Sequence, residues 1–123
     1  MVKILKYRTF DQWAQSERLT DKGLREAILQ IEQGLFDANL GGGLYKKRIA
    51  RKGQGKSGGY RTLIAFKKGG RAVFMYGFSK SERANISLKE KDVYKRLARY
   101  YLEVTEAQLV CLVERGELIE VTA

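Results

Sequence analysis

Tyr60-Arg61-Thr62-Leu63-Ile64-Ala65-Phe66-Lys67, then Lys68-Gly69-Gly70, then Arg71-Ala72-Val73-Phe74-Met75-Tyr76-Gly77-Phe78 is the stretch on which the fold turns. Two runs rich in β-branched and aromatic side chains flank a Lys-Gly-Gly, which supplies a tight turn, so the segment predicts a β-hairpin. Upstream, residues 44–51 alternate imperfectly and predict a third strand, joined to the hairpin by the long connection of residues 52–59. Residues 3–7 predict a short strand at the start of the chain.

The rest reads as helix. Thr9-Phe10-Asp11-Gln12 has the form of a capping box and predicts a short helix through about Gln15. Leu24, Ala27, Ile28, Ile31 and Leu35 recur at helical spacing and predict a helix from Asp21 to Leu35, with Thr20 or Asp21 at its start and Gly34 near its end. Gly41-Gly42-Gly43 then interrupts the chain. Ser87-Leu88-Lys89-Glu90 and Thr105-Glu106-Ala107-Gln108 are two more capping boxes. The first opens a helix with Tyr94, Leu97, Ala98 and Tyr101 on one side, and the second a shorter one with Leu109, Leu112 and Val113 inward, stopped by Gly116. Leu118–Val121 suits a strand or an exposed partner segment. The order predicts an α+β fold, a small antiparallel sheet with helices on one face.

The length, 123 residues, suits one domain spanning 1–123. Charges interrupt the apolar run of residues 1–7, unlike a signal peptide, and no stretch has the length of a membrane span. Cys111 is the single cysteine and histidine is absent, which argues against a disulfide, a multi-cysteine metal site and histidine acid–base chemistry. The reading is a cytoplasmic protein without cofactor or metal.

Charge is more informative. The chain has 24 Lys and Arg against 14 Asp and Glu, and eleven of the basic residues lie between Asp37 and Glu82, where there is no acid. The remainder of the chain, with thirteen basic and fourteen acidic residues, is almost neutral. A run of one sign repels itself and suits a polyanion, here nucleic acid. Tyr45, Tyr60, Phe66, Tyr76 and Phe78 are interleaved with it, and such rings either stack on bases or fill the core.

Two motifs compete within this run. Gly53-Gln54-Gly55-Lys56-Ser57-Gly58 fits G-x-G-x-x-G, and Gly55-Lys56-Ser57 ends like a Walker A loop, but a strand rather than a helix is predicted after it. Nucleotide binding is therefore rejected. In a strand over 44–51, Lys46 and Arg48 point to one face, and Tyr45, Lys47 and Ile49 to the other. Arg61 at the start of the next strand can join Lys46 and Arg48 if the register allows. Two guanidinium groups and an amine make a phosphate site. They also suit RNA cleavage, with lysine taking the 2′-hydroxyl proton and the arginines stabilising charge, or all three simply bind phosphate. Lys47, Arg51, Lys52, Lys56 and Tyr60 are the candidates for further RNA contacts.

Gly43-Leu44-Tyr45-Lys46-Lys47-Arg48-Ile49-Ala50, Gly58-Gly59-Tyr60-Arg61-Thr62-Leu63-Ile64 and Val73-Phe74-Met75-Tyr76-Gly77-Phe78-Ser79-Lys80 together resemble the RelE/ParE superfamily of toxins from type II toxin–antitoxin systems, most of all its HigB-like branch. The resemblance covers about residues 40–101. It implies a microbial RNase fold, with two N-terminal helices on an antiparallel sheet and residues 105–123 as a C-terminal helical extension. It also implies a metal-independent endoribonuclease that cuts mRNA on the ribosome. The implied partners are an antitoxin, expected to be a small helix-turn-helix protein, and operator DNA through the antitoxin complex. By position, Lys46, Arg48 and Arg61 match the family's catalytic basic residues, and Lys80 or Arg83 the one after the last strand. The family's stacking tyrosine falls near Ser87, which reads instead as a helix cap, leaving Tyr94 as a substitute. Glu82 suits a base or an ordinary salt bridge. The competing functions are a non-catalytic, gyrase-inhibiting toxin of the ParE kind and a nucleic-acid-binding module without nuclease activity.

Overall fold

Leu63 and Ala65 point to one side of their strand and Ile64 and Phe66 to the other, and all four are buried. A strand apolar on both sides needs cover on both faces, and the computed structural model supplies it. It describes the backbone of residues 2–51 and 55–122 and the side chains of residues 2–50 and 59–122. In chain order the elements are β1 (Lys3–Tyr7), α1 (Arg8–Ser16), α2 (Asp21–Glu32), β2 (Ala38–Gly41), β3 (Leu44–Arg51), β4 (Gly55–Phe66), β5 (Arg71–Ser79), α3 (Leu88–Glu103), α4 (Glu106–Glu114) and β6 (Leu118–Glu120).

The six strands form one sheet in the order β2-β3-β4-β5-β1-β6. The α+β class is as read from the sequence, but the sheet is mixed: β1 runs parallel to β5, while every other neighbouring pair is antiparallel. The helices lie on both faces rather than one. On the first face Phe10, Ala14, Leu24, Ile28 and Ile31 of α1 and α2 pack on Ile64, Phe66 and Phe74. On the second, Ala98 and Tyr101 of α3 and Leu109 and Leu112 of α4 pack on Leu5, Leu63, Ala65, Val73 and Met75. A large side chain fully buried in this way contributes roughly 1.5–3 kcal/mol. No helix among the described residues is long and apolar enough to cross a membrane.

Local chemistry explains the boundaries. Thr20 caps α2 by accepting from the Gly23 N–H, and α2 stops at Glu32, not Leu35, because Gly34 takes a φ of +85°. Leu35 is consequently outside the helix and 55% exposed. Ser87 and Thr105 form complete capping boxes with Glu90 and Gln108. Thr9 does not cap α1, whose N-cap is Tyr7, continuous with β1. Strand β2 went unread, and β4 begins at Gly55, so the Gly-Lys-Ser segment enters a strand and not a phosphate-binding helix. Within residues 105–122 Leu109, Leu112 and Leu118 are buried, and β6 forms the sheet edge beside β1.

Candidate functional site

The register of β3, β4 and β5 decides which basic residues meet. Arg48 stands directly across from Arg61, Lys46 from Leu63, and on the other side of β4 Arg61 faces Phe78 and Leu63 faces Tyr76. Paired residues share a face, so Lys46, Arg48 and Arg61 come together with Tyr76 and Phe78 on the side covered by α3. Helix α3 lies over Leu44, Leu63 and Ala65. Two residues beyond Lys46, the Arg48 side chain is 41% exposed. The face expected for these three residues is the one the strands build.

Their partners differ. Arg48 Nε donates to Asp37 Oδ1 at 2.7 Å, and its backbone N–H donates to the other carboxylate oxygen. Asp37, the residue just before β2, is held against β3 by its own N–H, which donates to the Lys46 carbonyl. Burial works to raise the Asp37 pKa, but the hydrogen bonds from Arg48, with the charges of Arg48 and Lys47, outweigh it and hold the carboxyl below its usual range. Arg48 keeps its two terminal nitrogens unbonded among the described residues. Arg61 makes no ion pair there, and its Nη1 is buried with no hydrogen-bond partner among them. Lys46 Nζ donates to Asn85 Oδ1 at 3.2 Å, which ties β3 to the loop before α3.

That loop is built around Arg83. Its guanidinium makes a two-pronged ion pair with Glu90, at 2.9 and 2.6 Å, donates from Nε to the Asn85 carbonyl and reaches the Tyr76 hydroxyl. It also lies over the Phe78 ring, 5.7 Å from its centre. The Arg83 hydrogen bonds, with those of Ser87, bring the Glu90 pKa down to about 2, and Glu90 in turn raises that of Arg83. Arg83 is thus an anchor for the loop, with its donors engaged. Lys80, just after β5, is exposed and has no partner among the described residues. Glu82 makes hydrogen bonds rather than the salt bridge expected of it: it accepts from the Ser79 N–H and hydroxyl, which lower its pKa. Tyr94 stacks on Tyr76 with ring centres 5.4 Å apart, and burial followed by the Tyr76 neighbour raises its pKa.

Two residues expected to contact RNA are elsewhere. Lys47 is buried on the opposite face, donating to the Leu35 carbonyl at 2.9 Å. Tyr60 is 3% exposed on that same face, its ring edge-on to Trp13. Both follow from strand alternation, which sets them opposite Lys46 and Arg61. The side chains of Arg51 and Lys56, and all of Lys52, lie outside the described residues. Sequence reasoning missed Asp37, Asn85 and Glu90. Asp37 had a signal, being the acid that opens the basic run.

Chemically, the row of Lys46, Arg48 and Arg61 presents donors to an anion, with Arg61 still lacking an acceptor. Asp37 against Arg48, Glu82 at Ser79 and Glu90 against Arg83 are each held ionised by the donors around them. Lys46 is left as the group of the row able to exchange a proton, since arginine does not usefully deprotonate.

No curated protein matches the chain by sequence. The family model for the RelE toxin of the RelE/RelB toxin–antitoxin system matches residues 2–121, without choosing the HigB-like branch. With nearly every residue inside that match, the chain belongs to the RelE family of toxins from toxin–antitoxin systems.

Proposed function

We propose that this toxin is a ribosome-dependent, metal-independent mRNA endoribonuclease that stops translation. The observation that carries the reading is the cross-strand pair Arg48–Arg61, two like charges held opposite each other with a buried guanidinium nitrogen unsatisfied. Like charges directly across a ladder destabilise a sheet, and a phosphate between them supplies both the missing charge and the missing acceptor.

Arg61 and Arg48 hold the scissile phosphate and the charge that grows on it. Lys46 takes the proton of the 2′-hydroxyl, whose oxygen attacks phosphorus, and the bond from phosphorus to the 5′ oxygen breaks to leave a 2′,3′-cyclic phosphate. Lys80, with no partner of its own among the described residues, meets the RNA as charge or as proton donor to the leaving oxygen. Arg83 is a positioning residue that fixes the loop carrying Asn85. A RelE toxin implies a cognate antitoxin, here proposed to be a small helix-turn-helix protein that also brings the pair to operator DNA. The proposed setting is the cytoplasm.

The test is primer extension on a defined mRNA in a reconstituted translation reaction, with Arg61→Ala and a ribosome-free control beside the wild type. New 5′ ends that require ribosomes and disappear with Arg61→Ala are expected. Intact mRNA at protein excess over ribosomes sinks the nuclease reading, and inhibition of gyrase or simple nucleic-acid binding takes its place.

A further inference from the structure

A second group of cations stands away from the Arg48–Arg61 row. Helix α3 has no acid between Asp92 and Glu103 but carries Lys95, Arg96 and Arg99, spaced three and four residues apart and hence on one side of the helix. None of the three makes a hydrogen bond or ion pair among the described residues. This is unlike Arg71, Arg83 and Arg115, each of which has a glutamate. Asp92 and Glu103, though at pairing distance in sequence, pair with none of them.

The surroundings extend this group. The turn between β2 and β3 lies against the middle of α3, so close that a Cβ on Gly41 would stand 3.3 Å from Lys95 Nζ. Gly42, Asp92, Lys95, Arg96 and Arg99 line a concavity of about 340 Å³ there. Where α3 ends, Leu102 borders a second concavity of about 460 Å³ with Lys67 and Lys68, both exposed and unpaired among the described residues at the tip of the β4–β5 turn. Lys67 and Lys68 belong to the acid-free run, so its charge reaches both ends of the sheet.

We infer that Lys95, Arg96 and Arg99 of α3, continued by Lys67 and Lys68, form a second phosphate-backbone site that grips double-helical RNA. Unpaired cations cost self-repulsion that a polyanion relieves. Their layout suits a nucleic acid rather than an acidic protein. A protein interface centres on a desolvated apolar anchor, whereas the exposed aromatic here, Tyr100, is half exposed and flanked by the charges of Arg96, Arg99 and Glu103. The strip instead covers about one turn of α3 and continues with the two lysines of the β4–β5 turn, exposed cations in a row as a phosphate backbone requires, and contacts to A-form RNA run mostly to backbone and shape. The inference concerns binding alone and stands whether or not the Arg48–Arg61 face cleaves RNA.

The experiment is fluorescence anisotropy of the purified toxin with a labelled twenty-base-pair RNA duplex, titrated at several salt concentrations. The triple variant Lys95→Gln, Arg96→Gln, Arg99→Gln is compared with Arg48→Ala, Arg61→Ala and with wild type. Roughly tenfold or greater loss of duplex affinity at low salt is expected of the α3 variant. Its slope of log affinity against log salt should be shallower by about 3, one for each lost phosphate contact. The double variant at Arg48 and Arg61 should lose less than the triple one. Thermal melting of each variant checks that the fold is kept. Wild-type affinity and slope in the α3 variant overturn the inference, and so does a variant that binds duplex normally but no longer holds its antitoxin, because the face then belongs to a protein.

Discussion

Arg61 carries a guanidinium nitrogen buried without a hydrogen-bond partner among the described residues, and directly across the ladder stands Arg48. An unsatisfied buried polar group costs about 1–3 kcal/mol, and the opposed charge adds to that. Arg61→Met, which keeps the aliphatic stem, should therefore raise stability by about 1 kcal/mol while abolishing cleavage. Urea unfolding beside the primer-extension assay reads both. A destabilised variant would mean that Arg61 is held by contacts in the folded protein and is not waiting for a ligand. Lys46 separates binding from proton transfer. Lys46→Arg keeps the charge beside Asn85 but cannot give up a proton, so it should bind RNA within about threefold of wild type yet cleave at least about 100-fold more slowly. Near-normal cleavage by Lys46→Arg would reduce Lys46 to a phosphate ligand. The alternation of strand residues is enough to group Lys46, Arg48 and Arg61 from the sequence, and it also sets Lys47 and Tyr60 on the far side, against their assignment to RNA. Asp37 and Glu90 were not legible as partners, because which acid meets which arginine depends on register and on a loop, not on spacing along the chain.

Helix ends were the most readable elements, since a cap is local chemistry. Ser87 and Thr105 accept from the N–H groups of Glu90 and Gln108 as their sequences predicted. Thr9 failed because β1 runs straight into α1 at Tyr7, which puts Thr9 inside the first turn rather than at its cap. Ser87→Ala and Thr105→Ala should each cost about 1 kcal/mol in urea unfolding, and Thr9→Ala less than about 0.5 kcal/mol. Equal losses at all three would contradict the cap assignments. Strand β2 escaped because four residues, one of them glycine, carry no period of their own. The parallel partnership of β1 with β5 escaped because partner choice is not encoded locally. Packing between α1 and the sheet turns on Gly77, where an added Cβ would run into the Trp13 ring. Gly77→Ala should destabilise by about 1–3 kcal/mol through displacement of that ring, with a matching change in Trp13 fluorescence. An unchanged unfolding midpoint would show that the indole can move aside freely.

Across the whole molecule, one polar cluster ties the two ends of the chain to the first helices. Lys6 Nζ lies 2.7 Å from Asp11 and 3.1 Å from Asp21, and the other Asp21 oxygen accepts from the Thr122 N–H and hydroxyl. Arg25 donates to the Thr122 carbonyl and closes the ring. Burial raises the Asp21 pKa, but the Thr122 N–H and the Lys6 ammonium outweigh it, so the carboxyl lies below its ordinary 3.8. For Lys6, burial works to lower the pKa and the two aspartates overcome it, leaving it above 10.5. The signs fix the window. The contribution of Asp21 is complete above its ordinary value and disappears as pH falls through the lower folded one. That of Lys6 is complete below its ordinary value and is lost as pH rises through the higher folded one. Acid also adds charge to a chain already at +10, so wild type alone cannot isolate the cluster, and a difference is needed. Asp21→Asn leaves Lys6 paired with Asp11 and removes only the acid-sensitive arm. Its deficit against wild type should be about 1 kcal/mol near neutral pH, discounted for the partial exposure of Asp21, and should shrink as pH falls through the lowered folded-state value, where the wild-type carboxyl takes up its own proton. Urea midpoints of both proteins along that pH series check it. A deficit that stays constant would place the loss in the shape of the side chain rather than its charge.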